Sequence, residues 1–191
     1  MADKMARPTI DLSFPRSWNA EILPARPLIL PPRHFVYPRD AEEIERGALE
    51  VLIQPAAAAQ PFLATCALGF RDPAVPTGLW SAPEPEKICA VAGGYAYLID
   101  TVAPERFTMI AYRPVLQILP AVEHELLLFV GHRSILAWGR NGHAWESAKL
   151  SDEGVNILEI EGALLRGKGW EMTADKEISF SLDLRTGLLI G

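Results

Sequence analysis

Ser134-Ile135-Leu136-Ala137-Trp138-Gly139-Arg140-Asn141-Gly142-His143-Ala144-Trp145-Glu146-Ser147-Ala148-Lys149 is the stretch whose reading decides the fold. Asn141-Gly142 separates two runs of strand-forming residues. Asn-Gly between such runs is the strongest short-range hairpin signal, because a type I′ turn needs positive φ at both central residues. Gly93-Gly94 stands in the same relation to residues 88–92 and 95–99, and Glu161-Gly162 to residues 156–160 and 163–169. Residues 177–184 then alternate polar and apolar without a break, one face inward and one outward. No window of a dozen residues sustains a helical period, so the chain reads as all-β.

Working outward from these hairpins, proline sets the limits of the strand-rich region. Of 16 prolines, seven fall within the first 40 residues, nine more by Pro120, and none follows. Each removes a ladder donor and biases its predecessor to an extended conformation. Residues 8–38 therefore cannot form a central strand or a long helix. Large apolar residues are interleaved with these prolines, among them Ile10, Phe14, Trp18, Leu28, Ile29, Phe35 and Tyr37, so a free tail would expose a large apolar surface. The expectation is a proline-rich extended arm over 1–39, packed on the domain or on a partner chain, followed by a single all-β domain over 40–191. Asp40, Glu43 and Gly47 have the capping-box and C-terminal spacing of one short helix. Residues 48–53 and 62–68 read as strands joined by the loop 54–61, and residues 71–86, with four prolines, read as a long ordered loop. The architecture expected is an antiparallel meander of hairpins forming a sandwich or partly open barrel.

Two turns carry a family likeness. Ala137-Trp138-Gly139-Arg140-Asn141-Gly142-His143-Ala144-Trp145 resembles the Ala-x-Asp-x-x-Thr-Gly-x-x-x-Trp blade repeat of quinoprotein-type β-propellers, and Asp183-Leu184-Arg185-Thr186-Gly187 matches its Asp-x-x-Thr-Gly core. The first turn departs from the repeat in having Gly139 for Asp, Asn141 for Thr, and its tryptophan one position early. The resemblance implies blade-like meanders and no quinone site, with a small propeller-like fold as the alternative architecture. A closed propeller needs at least four blades of about 40 residues each. That would use nearly all of the chain, proline-rich arm included, which favours the sandwich.

Composition excludes several function classes. The 191 residues carry 18 basic and 24 acidic side chains, a net charge of −6, which argues against a nucleic-acid partner because that affinity rests on neutralising phosphates. No apolar run approaches the roughly 18 residues of a membrane helix, and residues 1–8 lack the apolar region of a signal peptide. A soluble chain with no membrane partner is expected. Cys66 and Cys89 show neither a disulfide framework nor a Cys-x-x-Cys spacing, so they read as small buried hydrophobes in a cytoplasmic setting.

Candidate chemistry is sparse. His34, His124, His132 and His143 show no ligand spacing such as His-x-His, and Glu123 and Glu125 flank His124 on a segment where strand neighbours would face opposite ways. No metal and no cofactor are expected. Gly-x-Ser-x-Gly and the phosphate-binding glycine loops are absent, while Glu159 and Glu161 share a strand face beside a turn, where two solvated glutamates are the ordinary arrangement. Tryptophan is the enrichment that carries a hypothesis. With Asn141-Gly142 as a two-residue turn, Trp138 would lie opposite Trp145 and Arg140 opposite His143 on the same face. The expected ligand platform is thus Trp80, Trp138, Arg140, His143 and Trp145, with no catalytic residue.

The function expected is a non-catalytic binding or protein-interaction module for an unknown protein or small-molecule ligand, self-associating through its arm. The rival is a small hydrolase or metal-dependent enzyme using His124, His132 or His143 with nearby carboxylates. Convergence of those histidines on an acid in one cleft would separate the two.

Overall fold

The computed structural model describes residues 7–39, 46–56 and 59–190, and it is all-β apart from one short 3-10 turn, Val122–His124. The chain divides into two compact units at Pro114/Val115, inside the stretch 40–191 that the sequence reading treated as one domain. The arm belongs to the first unit. The short helix expected from Asp40 lies outside the described residues.

Among the described residues unit 1 contains nine strands: β1 (Thr9–Asp11), β2 (Trp18–Leu23), β3 (His34–Tyr37), β4 (Ala48–Pro55), β5 (Phe62–Ala67), β6 (Gly78–Ser81), β7 (Lys87–Ala92), β8 (Tyr95–Asp100) and β9 (Phe107–Met109). They form two sheets, ordered β1-β6-β7-β8-β9 and β2-β4-β5-β3. The sheets share one core, in which Leu49, Val51, Ile53, Phe62, Ala64 and Cys66 from one face Leu79, Ile88, Ala90, Tyr97 and Ile99 from the other. Every second residue of β4 and β5 enters it, the period a pleated strand imposes. Tyr37 and Phe107 meet edge to face within it, ring centres 5.0 Å apart.

The arm is woven into both sheets. β1, β2 and β3 are all edge strands, as the prolines require, since an edge needs ladder donors on only one side. The pairing departs from the expected antiparallel meander in two places, because β1 runs parallel to β6 and β3 parallel to β5. The chain reaches β5 from β3 by way of β4, and residues 24–33 form a crossover of their own, carrying the chain from the β2 edge of the sheet to the β3 edge. Residues 71–86 were expected to be a loop, yet they contain β6. Four prolines hid it, although its own four residues, Gly-Leu-Trp-Ser, hold none.

Unit 2 contains β10 (Gln117–Ala121), β11 (Leu126–Val130), β12 (Ile135–Gly139), β13 (Gly142–Glu146), β14 (Asn156–Glu161), β15 (Leu164–Glu171) and β16 (Lys176–Asp183). Its two antiparallel sheets, β10-β11-β12-β13 and β14-β15-β16, are meanders, as expected. Leu128, Val130, Ile135, Ala137 and Trp145 of the first share a core with Leu165, Phe180 and Leu182 of the second. The alternating 177–184 segment behaves as read, with Phe180 and Leu182 buried and Ser179 and Ser181 turned away. Each unit is therefore a small two-sheet layer structure, and none of the sheets closes into a barrel.

Candidate functional site

The expected pairing of Trp138 with Trp145 does not form. Trp80 lies on β6 in unit 1, while Trp138, Arg140, His143 and Trp145 belong to β12, β13 and the turn between them in unit 2. Within unit 2 the expected register fails. Gly139 pairs with Gly142 and Trp138 with His143; the ladder then shifts, so that Ala137 faces Trp145. The turn residues are Arg140-Asn141, one position earlier than a type I′ turn would place them. Asn141 keeps negative φ, and only Gly142, at +97°, takes the positive value. The shift puts Trp145 on the Ala137 face, which is the core, and Trp138 on the other. Arg140 instead pairs with Glu125 at 2.8 Å, both side chains exposed.

Trp145 is a structural anchor. Its indole Nε1 donates to the Leu184 carbonyl at 2.7 Å, and its ring lies so close to Gly187 that a Cβ there would sit 2.4 Å from it. Gly187 has φ of +69° and its N–H donates to the Asp183 carbonyl at 2.7 Å. Asp183 receives the Arg185 backbone and guanidinium N–H groups, which hold its carboxyl down at about 2. The two stretches singled out in the sequence as related turns are thus packed on each other, one supplying the ring and the other its seat.

The histidines of the rival enzymatic reading sit on different segments of unit 2. The His124 ring nitrogen Nε2 bonds to the Gly162 carbonyl at 2.7 Å, His143 sits opposite Trp138, and His132 lies in the β11–β12 turn. Among the described residues no group of three or more His, Cys, Asp or Glu side chains converges. Glu159 and Glu161 do share a face, where both receive Arg166 Nη1, at 2.5 and 3.2 Å. Burial pushes the thiols of Cys66 and Cys89 upward, so both stay protonated.

The polar cluster that sequence reading missed lies on the outer face of the β2-β4-β5-β3 sheet. Glu50, on β4, is 5% exposed and points away from the core that Leu49 and Val51 enter. Directly opposite it on β5, Thr65 is fully buried and donates its hydroxyl to Glu50 Oε2 at 2.6 Å. His34 Nε2, on β3, bonds to the Thr65 oxygen at 2.8 Å. Arg26, in the crossover, donates Nε to Glu50 Oε1 at 2.7 Å. The signal in the sequence was Glu50 itself, a carboxylate inside the apolar run 48–53.

The order of groups decides what this cluster can do. In a nucleophilic triad the imidazole accepts the hydroxyl proton and the carboxylate orients the imidazole. Here the hydroxyl donates to the carboxylate and not to the imidazole, so His34 must donate Nε2–H to the oxygen, and the fully buried hydroxyl has no access to solvent. Burial, then the Arg26 charge, lower the His34 pKa against an opposing pull from Glu50, which keeps the ring neutral at pH 7. The cluster is a latch: it ties the crossover to the sheet across three strands.

What the latch holds is apolar. Between Pro27 and Pro31-Pro32, Leu28 and Ile29 are 105% and 88% exposed, and Leu30 is also exposed. At the β3 edge a shallow cavity of about 280 Å³ is bordered by His34, Tyr37, Arg39 and Glu105, with the Tyr37 hydroxyl donating to the Pro104 carbonyl at 2.7 Å. In comparison with known proteins, the chain matches no family model and no curated sequence.

Proposed function

We propose that the chain is a non-catalytic binding module whose contact surface is the tip of the 24–33 crossover, and that its first partner is a second copy of itself. The observation that carries the reading is the pairing of an ion pair at the base of this segment, its Glu50 carboxylate buried, with two fully exposed aliphatic side chains at its tip. Single exposed leucines are ordinary, but three consecutive apolar residues framed by prolines are not. The prolines fix φ, so little conformational freedom is left to lose when the tip is covered. Burying a Leu or Ile side chain fully contributes about 1.5–3 kcal/mol. Leu28 and Ile29 from each of two copies give a gross gain of roughly 6–12 kcal/mol, against an association cost of about 4–15 kcal/mol. The two ranges overlap, so a dimer held at this tip is at most weak and concentration-dependent.

Sedimentation equilibrium from 1 to 200 µM (~ranges suited to micromolar affinity) tests this. The wild-type mass should rise toward twice the monomer, and Leu28→Ser with Ile29→Ser should stay monomeric with an unchanged melting temperature. A wild-type monomer throughout, or a dimer indifferent to the double substitution, refutes the self-association. The enzymatic reading gains no support from His124, His132 and His143, since among the described residues no group of three or more His, Cys, Asp or Glu side chains is placed to hold a metal.

A further inference from the structure

At the start of β2, the sequence Arg16-Ser17-Trp18-Asn19 forms one wall of an open cavity of about 380 Å³, and Gln54-Pro55-Ala56 at the end of β4 forms the other. We infer that this cavity is a carboxylate-binding site, with the Arg16 guanidinium as the charge and the Asn19 and Gln54 amides as flanking donors. It is separate from the crossover tip and stands or falls on its own measurement.

The platform is rigid. Trp18 is buried in the unit 1 core and its Nε1 donates to the Lys87 carbonyl at 3.1 Å, which fixes the ring plane. Ser17 gives both its backbone N–H, at 2.9 Å, and its hydroxyl, at 3.1 Å, to the Pro85 carbonyl. The Arg16 guanidinium rests over the Trp18 ring, 5.8 Å from its centroid. A cation over an aromatic face is held by the ring quadrupole without a hydrogen-bond acceptor, which leaves the guanidinium N–H groups to reach a ligand.

That fork is unoccupied by protein. Arg26 and Arg106 in the same unit reach Glu50 and Asp100, and Arg33, Arg39 and Arg71 reach backbone carbonyls. Arg16 bonds to no acceptor and pairs with no carboxylate among the described residues. Asn19 and Gln54 are directly opposite in the β2–β4 register, so their side chains leave the sheet on the same face, and the Gln54 amide makes only a 3.5 Å contact with the Pro55 carbonyl. No acidic residue among those described borders the cavity, although the chain as a whole carries −6.

The donor set selects the ligand class. One guanidinium and neutral amides balance a single negative charge, and the planar fork matches the two oxygens of a carboxylate. A phosphate dianion calls for more cations or a helix N-terminus, and neither is here. The carboxylate can belong to a small organic acid or to the C-terminus of a peptide, and the probes separate the two.

The experiment follows the Trp18 indole ¹H–¹⁵N resonance, assigned by its loss in Trp18→Phe, while succinate, an acetylated Gly-Ala-Ala tripeptide with a free C-terminus, or the same tripeptide amidated is added. A saturable shift with succinate or the free-acid peptide, absent with the amide, is expected, and the tighter of the two names the source. Arg16→Gln should weaken binding about tenfold or more, Arg16→Lys should also weaken it because the fork is lost, and Gln54→Ala should weaken it severalfold. Both positions are exposed, so the fold should survive. The inference is overturned if neither acid shifts the resonance saturably, if Arg16→Gln responds like wild type, or if inorganic phosphate or sulfate shifts it as strongly as the acids.

Discussion

Replacing Trp145 by alanine tests the unit 2 core most directly. The ring is 8% exposed, it belongs to the cluster with Leu165, Phe180 and Leu182, and it covers Gly187. Truncation of a large buried aromatic typically costs about 3–5 kcal/mol through lost transfer energy and the cavity left behind. Phenylalanine at the same position would keep most of the packing but leave the Leu184 carbonyl, on a fully buried residue, without its 2.7 Å donor. An orphaned buried acceptor costs about 1–3 kcal/mol. For a unit of this size each kcal/mol lowers the melting temperature by about 4–8 °C, so alanine should shift it by roughly 12 °C or more and phenylalanine by less. Because the two units can melt separately, amide hydrogen exchange at Val130 and Leu182 is the assay of choice, with urea melts as a second measure. An alanine variant within about 1 kcal/mol of wild type would refute the assignment of Trp145 to the core, since surface changes fall in that range.

Three further outcomes are expected. Gly187→Ala should cost at least about 2 kcal/mol by urea melt, because it adds left-handed strain to a collision with the Trp145 ring; a neutral substitution would mean the ring is not seated there. His34 has a folded-state pKa below its unfolded value, so the folded form binds fewer protons and its contribution to stability is present above the unfolded value of about 6.5 and lost as pH falls through the window beneath it. Urea midpoints should drop between pH 7 and pH 5, His34→Gln should flatten that drop, and Arg26→Ala should raise the His34 pKa in an NMR titration; an unmoved pKa would break the link between crossover and ring. Cys66 and Cys89, fully buried with thiol pKa values pushed up, should react with a disulfide reagent at pH 8 only when the chain unfolds, and prompt labelling of either in the native state would contradict their placement.

Strand content was legible in the sequence wherever a local signal was sufficient. Gly93-Gly94, with φ of +55° and +76°, makes the tight β7–β8 connection it was read as, and the period-2 pattern of 177–184 marks β16. Register was less legible, because an Asn-Gly pair specifies a turn but not which residues sit at its corner. Negative φ at Asn141 moves the corner back one place, and a bulge at Ala137/Trp138 then moves the ladder again. The first step shifts the pairing by two and keeps the faces; the bulge, a one-residue shift, sends Trp145 to the face opposite Trp138, so the expected tryptophan pair failed while the hairpin held. Long-range placement was not legible at all: nothing local in Thr9–Asp11 points to Gly78–Ser81 as its parallel neighbour. The polar latch was hidden for a related reason. Glu50, Thr65, His34 and Arg26 come from four separate segments, and only the sheet order brings them together.

The placement of the arm at the sheet edges has a consequence for the order of events on the ribosome. Thr9 leaves the exit tunnel long before Gly78, its partner, and His34 before Leu63. During that interval the arm has no sheet to join, and N-terminal segments of a growing chain emerge at about 5–20 residues per second. Its prolines then act in a second capacity: by withholding donors at Pro8, Pro15, Pro24, Pro27, Pro31 and Pro32, they deny the waiting segment a continuous ladder with the arms of neighbouring nascent chains on a polysome. A stalled chain ending before β6 should therefore leave the arm open to protease yet unaggregated, and replacing Pro27 and Pro31 by threonine should turn that same intermediate into a precipitating one.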